Sequence, residues 1–226
     1  MKFKTRSIVF NYVKFRESSI IARVYTEEYG LKNYIVNNVR SAKPRHPVSL
    51  FQPLTQLEMI VYNKPQAEIN RIAEIKCAYP YHTIPFDVIK STVCLFLTEI
   101  LFKILREEEA NKELFGFLTE SFIYFDAELN HFTNFHLQFL IRLTGFLGIS
   151  PVNVDEMIDE AQSPGFVPES EKILFDKLIR QTYSEPVDLD NRERRKFLAL
   201  ILQFYQHHFD HLSEIKSFRI LKEVFD

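Results

Sequence analysis

The sequence contains no tryptophan, only 5 glycines and only 2 cysteines in 226 residues. So little glycine leaves no GxGxxG and no GxxxxGK[ST] stretch, so the phosphate-cradling loops of dinucleotide enzymes and P-loop hydrolases are excluded. Cys77 and Cys94 stand too far apart for a CxxC half-site, and neither has a nearby histidine to complete a four-ligand zinc set. Both are read as small buried apolar residues in a reducing cytosol. No apolar run of about 18 residues exists, and the opening MKFKTRSIVFNYVKF lacks a signal-peptide core, so neither secretion nor a membrane span is expected.

The composition is that of a folded chain, with 46% hydrophobic and 26% charged residues. It is rich in phenylalanine, with 22 Phe and 10 Tyr. The formal charge of −2 hides an asymmetry. Residues 1–80 hold 13 Lys and Arg against 6 Asp and Glu, a net of +7, which leaves 15 against 24, a net of −9, for residues 81–226. A basic module joined to an acidic one is a footprint of a protein whose first half meets a polyanion, although a solvated basic half carries the same composition.

The basic half reads as strands. Ile20, Ala22 and Val24 alternate with Ile21, Arg23 and Tyr25; Leu57, Met59 and Val61 with Glu58, Ile60 and Tyr62; Ile69, Arg71, Ala73 and Ile75 with the residues between them. Lys4 to Val13 and Lys32 to Val39 complete five strands, with a turn at Glu28, Tyr29 and Gly30 where glycine tolerates positive φ. Five short strands in about 80 residues require closure, since an open sheet of that size leaves bare edges. An OB-fold is one such barrel and an SH3-like barrel is the other.

The acidic half reads as helices. Apolar residues recur at three and four through Phe86 to Leu105, Leu114 to Phe125, Phe132 to Leu147, Phe197 to Phe209 and Phe218 to Phe225, with a further helix around Glu169 to Gln181. A helical bundle with a phenylalanine-rich centre follows. Pro80 and Pro85 mark the boundary, so the division is 1–79 for the barrel and 80–226 for the bundle: an α+β chain. Residues 150–168, with Pro151, Pro164, Gly165 and Pro168 among four acids, read as a loop or irregular insertion. Asp155 and Asp159, spaced by four, are read as a solvated face rather than a metal site.

No catalytic constellation stands out. His207, His208 and His211 cluster, but no HExxH glutamate accompanies them, and no GxSxG elbow occurs. The reading is of a chain without covalent chemistry, metal or cofactor. The informative group is basic and aromatic: Lys14, Arg16 and Arg23 with Tyr12, Phe15 and Tyr25 interleaved, then Lys32 and Tyr34, then the loop Arg40-Ser-Ala-Lys43-Pro-Arg45, with no acid between Lys32 and Pro53. Single-strand binding needs cations that track phosphates and flat rings for bases, although the same rings also serve as barrel core. Lys14, Arg16, Arg23, Lys32, Tyr34, Arg40, Lys43 and Arg45 are the candidate nucleic-acid residues. In the acidic half, Phe146 lies off the main apolar face of its helix with Arg142 near it, a candidate groove for a partner protein.

The order and spacing of Phe15-Arg-Glu-Ser-Ser-Ile-Ile-Ala-Arg-Val-Tyr-Thr-Glu-Glu-Tyr-Gly-Leu31, the basic loop and Phe51-Gln-Pro-Leu54 resemble the amino-terminal domain of the bacterial recombination mediator family RecO. Leu143-Thr-Gly-Phe-Leu-Gly-Ile-Ser-Pro151 and the pair Lys216-Ser217 are also similar to that family. The resemblance implies an OB-fold followed by a helical domain and a cytoplasmic, nucleoid-associated protein. It implies binding of single- and double-stranded DNA, annealing of complementary strands, and partnership with RecR, with the acidic tail of single-stranded DNA-binding protein and, indirectly, with RecA. Arg142 and Phe146 are the residues assigned to the tail. Many members carry a four-cysteine zinc finger after the leucine-glycine turn, whereas residues 150–168 hold no cysteine, so no metal is carried over. Nor do Asn38 and Val39 reproduce the family's frequent loop glycine. An RNA-binding OB protein and a non-catalytic protein-interaction module are the competing readings.

Overall fold

A computed structural model describes residues 1–41, 44, 46–64, 67–105, 109–162, 167–185, 187–210, 212 and 214–225. Five strands, β1 (Phe3–Phe15), β2 (Ser19–Thr26), β3 (Gly30–Val36), β4 (Gln56–Tyr62) and β5 (Ile69–Tyr79), close into a barrel in the order β1-β2-β3-β5-β4. Neighbours are antiparallel except β3 and β5, which run parallel through Asn33–Ile35 and Ile69–Arg71. This is OB-fold topology, with the short 3-10 turn Val48–Phe51 between β3 and β4.

Closure depends on β1 serving two partners. Its first half pairs with β4 from Phe3↔Val61 to Ile8↔Gln56, and its second with β2 from Ser7↔Thr26 to Phe15↔Ser19. A register shift between Val9 and Asn11 separates the halves. Such a bulge bends the strand and reverses which side chains face inward. Val9, Val24, Tyr34, Val36, Phe51, Leu57 and Met59 fill the barrel. Ile8, Phe10, Tyr25, Leu31 and Leu54 point out of it and join the core of the helices. Gly30 has φ 61° at the expected turn, where the Thr26 hydroxyl donates to its carbonyl at 2.8 Å.

Seven helices follow among the described residues: α1 (Val88–Ile104), α2 (Lys112–Ala127), α3 (Phe135–Leu147), α4 (Val154–Glu160), α5 (Glu169–Arg180), α6 (Asn191–His208) and α7 (Ser217–Phe225). Side-chain caps mark the starts of α1, α2 and α6: Asp87 accepts from the Lys90 amide, Asn111 from Leu114, and Asp190 and Glu193 form a reciprocal capping box. Gly148, at φ 73°, ends α3. Phenylalanines stack through the centre, with Phe125 4.1 Å from Phe135 and Phe117 5.2 Å from Phe139.

Two expectations are corrected. Residues 150–168 are not wholly irregular, because α4 lies within them. Asn153 accepts from the Glu156 amide, Asp155 and Glu156 occupy the first turn where the helix dipole favours acids, and Val154 and Met157 are buried one turn apart. Asp155 pairs with Lys172 and Glu160 with His208, so these acids are partnered across helices. Cys94 is buried as expected, but Cys77 is exposed. It lies on β5, whose last residues face water over much of their surface.

The joint between barrel and bundle is organised by Asp126 at the end of α2. Its carboxylate, 1% exposed, accepts from the backbone amides of His82 at 2.8 Å, Thr83 at 2.8 Å and Ile84 at 3.0 Å. These bonds hold its pKa below the usual carboxylate range despite the opposing effect of burial. Lys90, also 1% exposed, donates to the Thr83 hydroxyl at 2.7 Å and to the Asp126 carbonyl at 3.2 Å, with its ammonium 5.0 Å from the Phe132 ring.

Candidate nucleic-acid interface

The β1–β2 hairpin ends at Arg16, which has φ 53°, a left-handed conformation uncommon for a residue with a side chain. Arg40, just beyond β3, holds this turn in place: its guanidinium donates to the Arg16 carbonyl at 3.0 Å and to the Glu17 carbonyl, and its amide donates to the Ser18 carbonyl at 3.2 Å. Ser18 and Ser19 reach Asn38 and Asn37 at 3.2 and 3.1 Å. Two turns remote in sequence are thereby tied into one tip. Lys14, Arg16 and Arg40 all lie exposed there, with the Arg16 guanidinium 5.2 Å over the Phe15 ring. Among the described residues no carboxylate forms an ion pair with these three cations. Glu17 is the acid within the same turn. Lys43 and Arg45 lie outside the described residues.

Three other candidates are not brought to this tip. Arg23 is half-buried with its guanidinium 4.6 Å over Phe102 of α1, at the junction with the bundle. Lys32 pairs in register with Val24, four residues from the Val36↔Ile20 end of the ladder or roughly 13 Å at the usual strand rise. The expectation that Tyr34 stacks on a base is overturned, since it is 0% exposed inside the barrel, opposite Ala22. Burial raises its phenol pKa, and its hydroxyl has no partner there. Tyr34→Phe is therefore expected to leave DNA affinity unchanged and to raise stability by about 1 kcal/mol, measured as a higher urea midpoint, because a buried unpaired hydroxyl carries a desolvation cost.

Arg71 carries no mark in the sequence. The ladders set Val13 beside Ile21, Ile21 beside Ile35 and Ile35 beside Arg71, an outward cross-strand row that ends in an exposed guanidinium. Only the parallel closure of β5 on β3 places it there, so no local pattern reveals it. With Val13 58% exposed at the other end, the row extends the basic tip by a partly apolar strip that bases can cover.

In the bundle, Arg142 and Phe146 share one face of α3. The Phe146 ring, 36% exposed, stacks on Phe117 at 4.5 Å and borders a crevice of about 200 Å³ with Leu114, Leu147 and Phe209. Arg142 is exposed, its guanidinium 4.8 Å over Tyr183. Glu109 also lines the crevice and opposes an acidic ligand on that side. His207 is exposed and His211 lies outside the described residues. Among the described residues no three His, Cys, Asp or Glu side chains gather as a metal site, and no helix is long and apolar enough to cross a membrane.

Comparison with known proteins agrees with both halves of this architecture. The family described as "Recombination protein O N terminal" matches residues 1–81, and "Recombination protein O C terminal" matches residues 85–166. The chain is 36% identical to the DNA repair protein RecO of Flavobacterium psychrophilum over 100% of both chains. It is 33% identical to that of Bacteroides fragilis over 99% of both, and 34% identical to that of Flavobacterium johnsoniae over 100% of both. A barrel of OB topology carrying a cationic tip, joined to a helical bundle and matched end to end by these relatives, places this chain in the RecO family of DNA repair and recombination proteins.

Proposed function

We propose that this chain is a non-enzymatic mediator of gap repair and homologous recombination, acting in the cytoplasm at the nucleoid. It binds single- and double-stranded DNA, anneals complementary strands, and with RecR helps load RecA on DNA coated by single-stranded DNA-binding protein. The observation that carries the reading is the tip where Lys14, Arg16 and Arg40 converge without a carboxylate partner among the described residues. Cations there neutralise phosphates on two strands and release their counterions, which lowers the repulsion between strands while leaving base edges free. Base pairing then supplies the specificity. Annealing of complementary oligonucleotides tests this: acceleration that fades steeply with salt supports it, and a rate equal to the protein-free rate rejects it. Preference for RNA in competition would favour an RNA-binding role instead.

The acidic tail of single-stranded DNA-binding protein is assigned to the Arg142–Phe146 face of α3, where an exposed ring and a cation stand side by side. Arg142→Ala is expected to weaken a fluorescent tail peptide about fivefold to tenfold in anisotropy titrations and to leave DNA affinity near wild type, as for removal of one partly exposed charge pair. Unchanged peptide affinity would move the assignment to the cations Arg195 and Lys222 beside Leu198 and Leu221.

A further inference from the structure

A groove of about 680 Å³ lies where β5 leaves the barrel beside α1. Its walls include Gln52 and Pro53 after the 3-10 turn, Cys77 and Tyr79 of β5, and Thr92 and Leu95 of α1. No lining residue is charged. Leu95 is 42% exposed, Val88, two turns earlier on the same helix, is 70% exposed, and Phe86 just before the helix is 83% exposed. These apolar surfaces lie outside the core of either half.

The strand that borders the groove is also incompletely paired. β5 meets β4 from Arg71 to Tyr79, but meets β3 only from Ile69 to Arg71. Among the described residues, no strand lies beside its second edge from Ile72 to Tyr79 and no backbone bond outside the β4 ladder engages it. An extended strand directs alternate N–H and C=O groups to each edge, so this edge presents unpaired donors and acceptors. The strand's exposed charges, Glu74 and Lys76, precede the groove, and Lys76 is paired with Glu58 at 3.0 Å. Where the strand reaches the groove, Cys77 in its lining and Ala78 next to it are small and exposed, which lets another backbone approach.

An uncharged lining beside an open strand edge suits neither phosphate nor an acidic tail. We propose that this edge and groove bind an extended, uncharged apolar segment of another protein, which adds as a strand along residues 72–79 and sets alternate side chains into the groove. The proposal goes beyond the DNA-binding reading and does not depend on it, since none of the tip cations lines the groove.

Panning a phage-displayed library of twelve-residue peptides on the full chain tests it. The expected result is enrichment of uncharged sequences that alternate β-branched or aromatic residues. A synthetic copy of such a peptide should slow hydrogen exchange in residues 72–79 and lose at least tenfold in affinity on Leu95→Arg and on Ala78→Pro. Leu95 is already exposed, so Leu95→Arg decides the matter if Ala78→Pro fails to fold. No enrichment, an acidic consensus, or unchanged affinity for Leu95→Arg would overturn the proposal. So would a wild-type dimer that Leu95→Arg converts to monomer, which would assign the edge to a second copy of the chain.

Discussion

Replacing Asp126 by alanine is expected to lower the unfolding free energy by about 3 to 5 kcal/mol, the range for removing one member of a buried charged network. The substitution strips the acceptor from the amides of His82, Thr83 and Ile84 and removes the negative charge beside the buried Lys90 ammonium. Urea unfolding followed by circular dichroism reads it as a lower midpoint at unchanged slope. Asp126→Asn keeps one acceptor oxygen and should fall between wild type and alanine. The pH dependence has a definite sign. The folded-state pKa of Asp126 is depressed, so its contribution is fully present above the unfolded carboxylate value of about 4 and is lost as pH falls through the folded value. Wild type should therefore lose stability on acidification below about pH 4, and Asp126→Asn should lose less over the same range. A wild-type midpoint for the alanine variant would show that the joint is held by other contacts.

The second large effect concerns DNA. Exchange of Lys14, Arg16, Lys43 and Arg45 for alanine together is expected to weaken single-stranded DNA binding on the order of 100-fold at low salt. It should also flatten the plot of log affinity against log salt by roughly 0.7 for each phosphate no longer neutralised. Arg40 is left in place deliberately, because its guanidinium bonds the Arg16 and Glu17 carbonyls. Losing it would reshape the tip as well as remove a charge. Arg40→Ala alone should then loosen the hairpin, seen as faster amide exchange through residues 16–19, in addition to weakening DNA binding. An unchanged salt slope in the quadruple variant, with native circular dichroism, would move the interface away from the tip and toward the Arg71 row.

The barrel is legible in the sequence because period-two alternation marks the stretches that become β2, β4 and β5, and the helices because their apolar residues recur along one face. What alternation does not reveal is which face of a strand is inside. In β3, Lys32, Tyr34 and Val36 share one face and Leu31, Asn33 and Ile35 the other, and both are partly apolar because the bundle covers the outer side of the barrel. Alternation alone therefore makes Tyr34 a plausible platform for a base when it is core. Arg71 stays hidden because its position depends on β3–β5 closure. Helix α4, at 7 residues, is too short for periodicity to announce against the prolines around it. Asp126 looks like any acid near a helix end until His82 and Thr83, more than 40 residues earlier, are folded against it.

The outward turn of Phe10 at the β1 bulge has a consequence for how this molecule can be taken apart. Its ring stacks on Tyr25 at 6.0 Å, and Tyr25 in turn on Phe115 of α2 at 6.4 Å, so the outer wall of the barrel is part of the bundle's apolar core, while the barrel's interior is a cluster of its own. Two modules that divide an interior melt together and do not fold as separate pieces. An excised barrel would carry Ile8, Phe10, Tyr25, Leu31 and Leu54 into water as an adhesive wall. Chimeras that exchange barrels between relatives will stay soluble only where the incoming barrel brings rings that fit against Phe115, and the orientation of the basic tip is inherited from that fit.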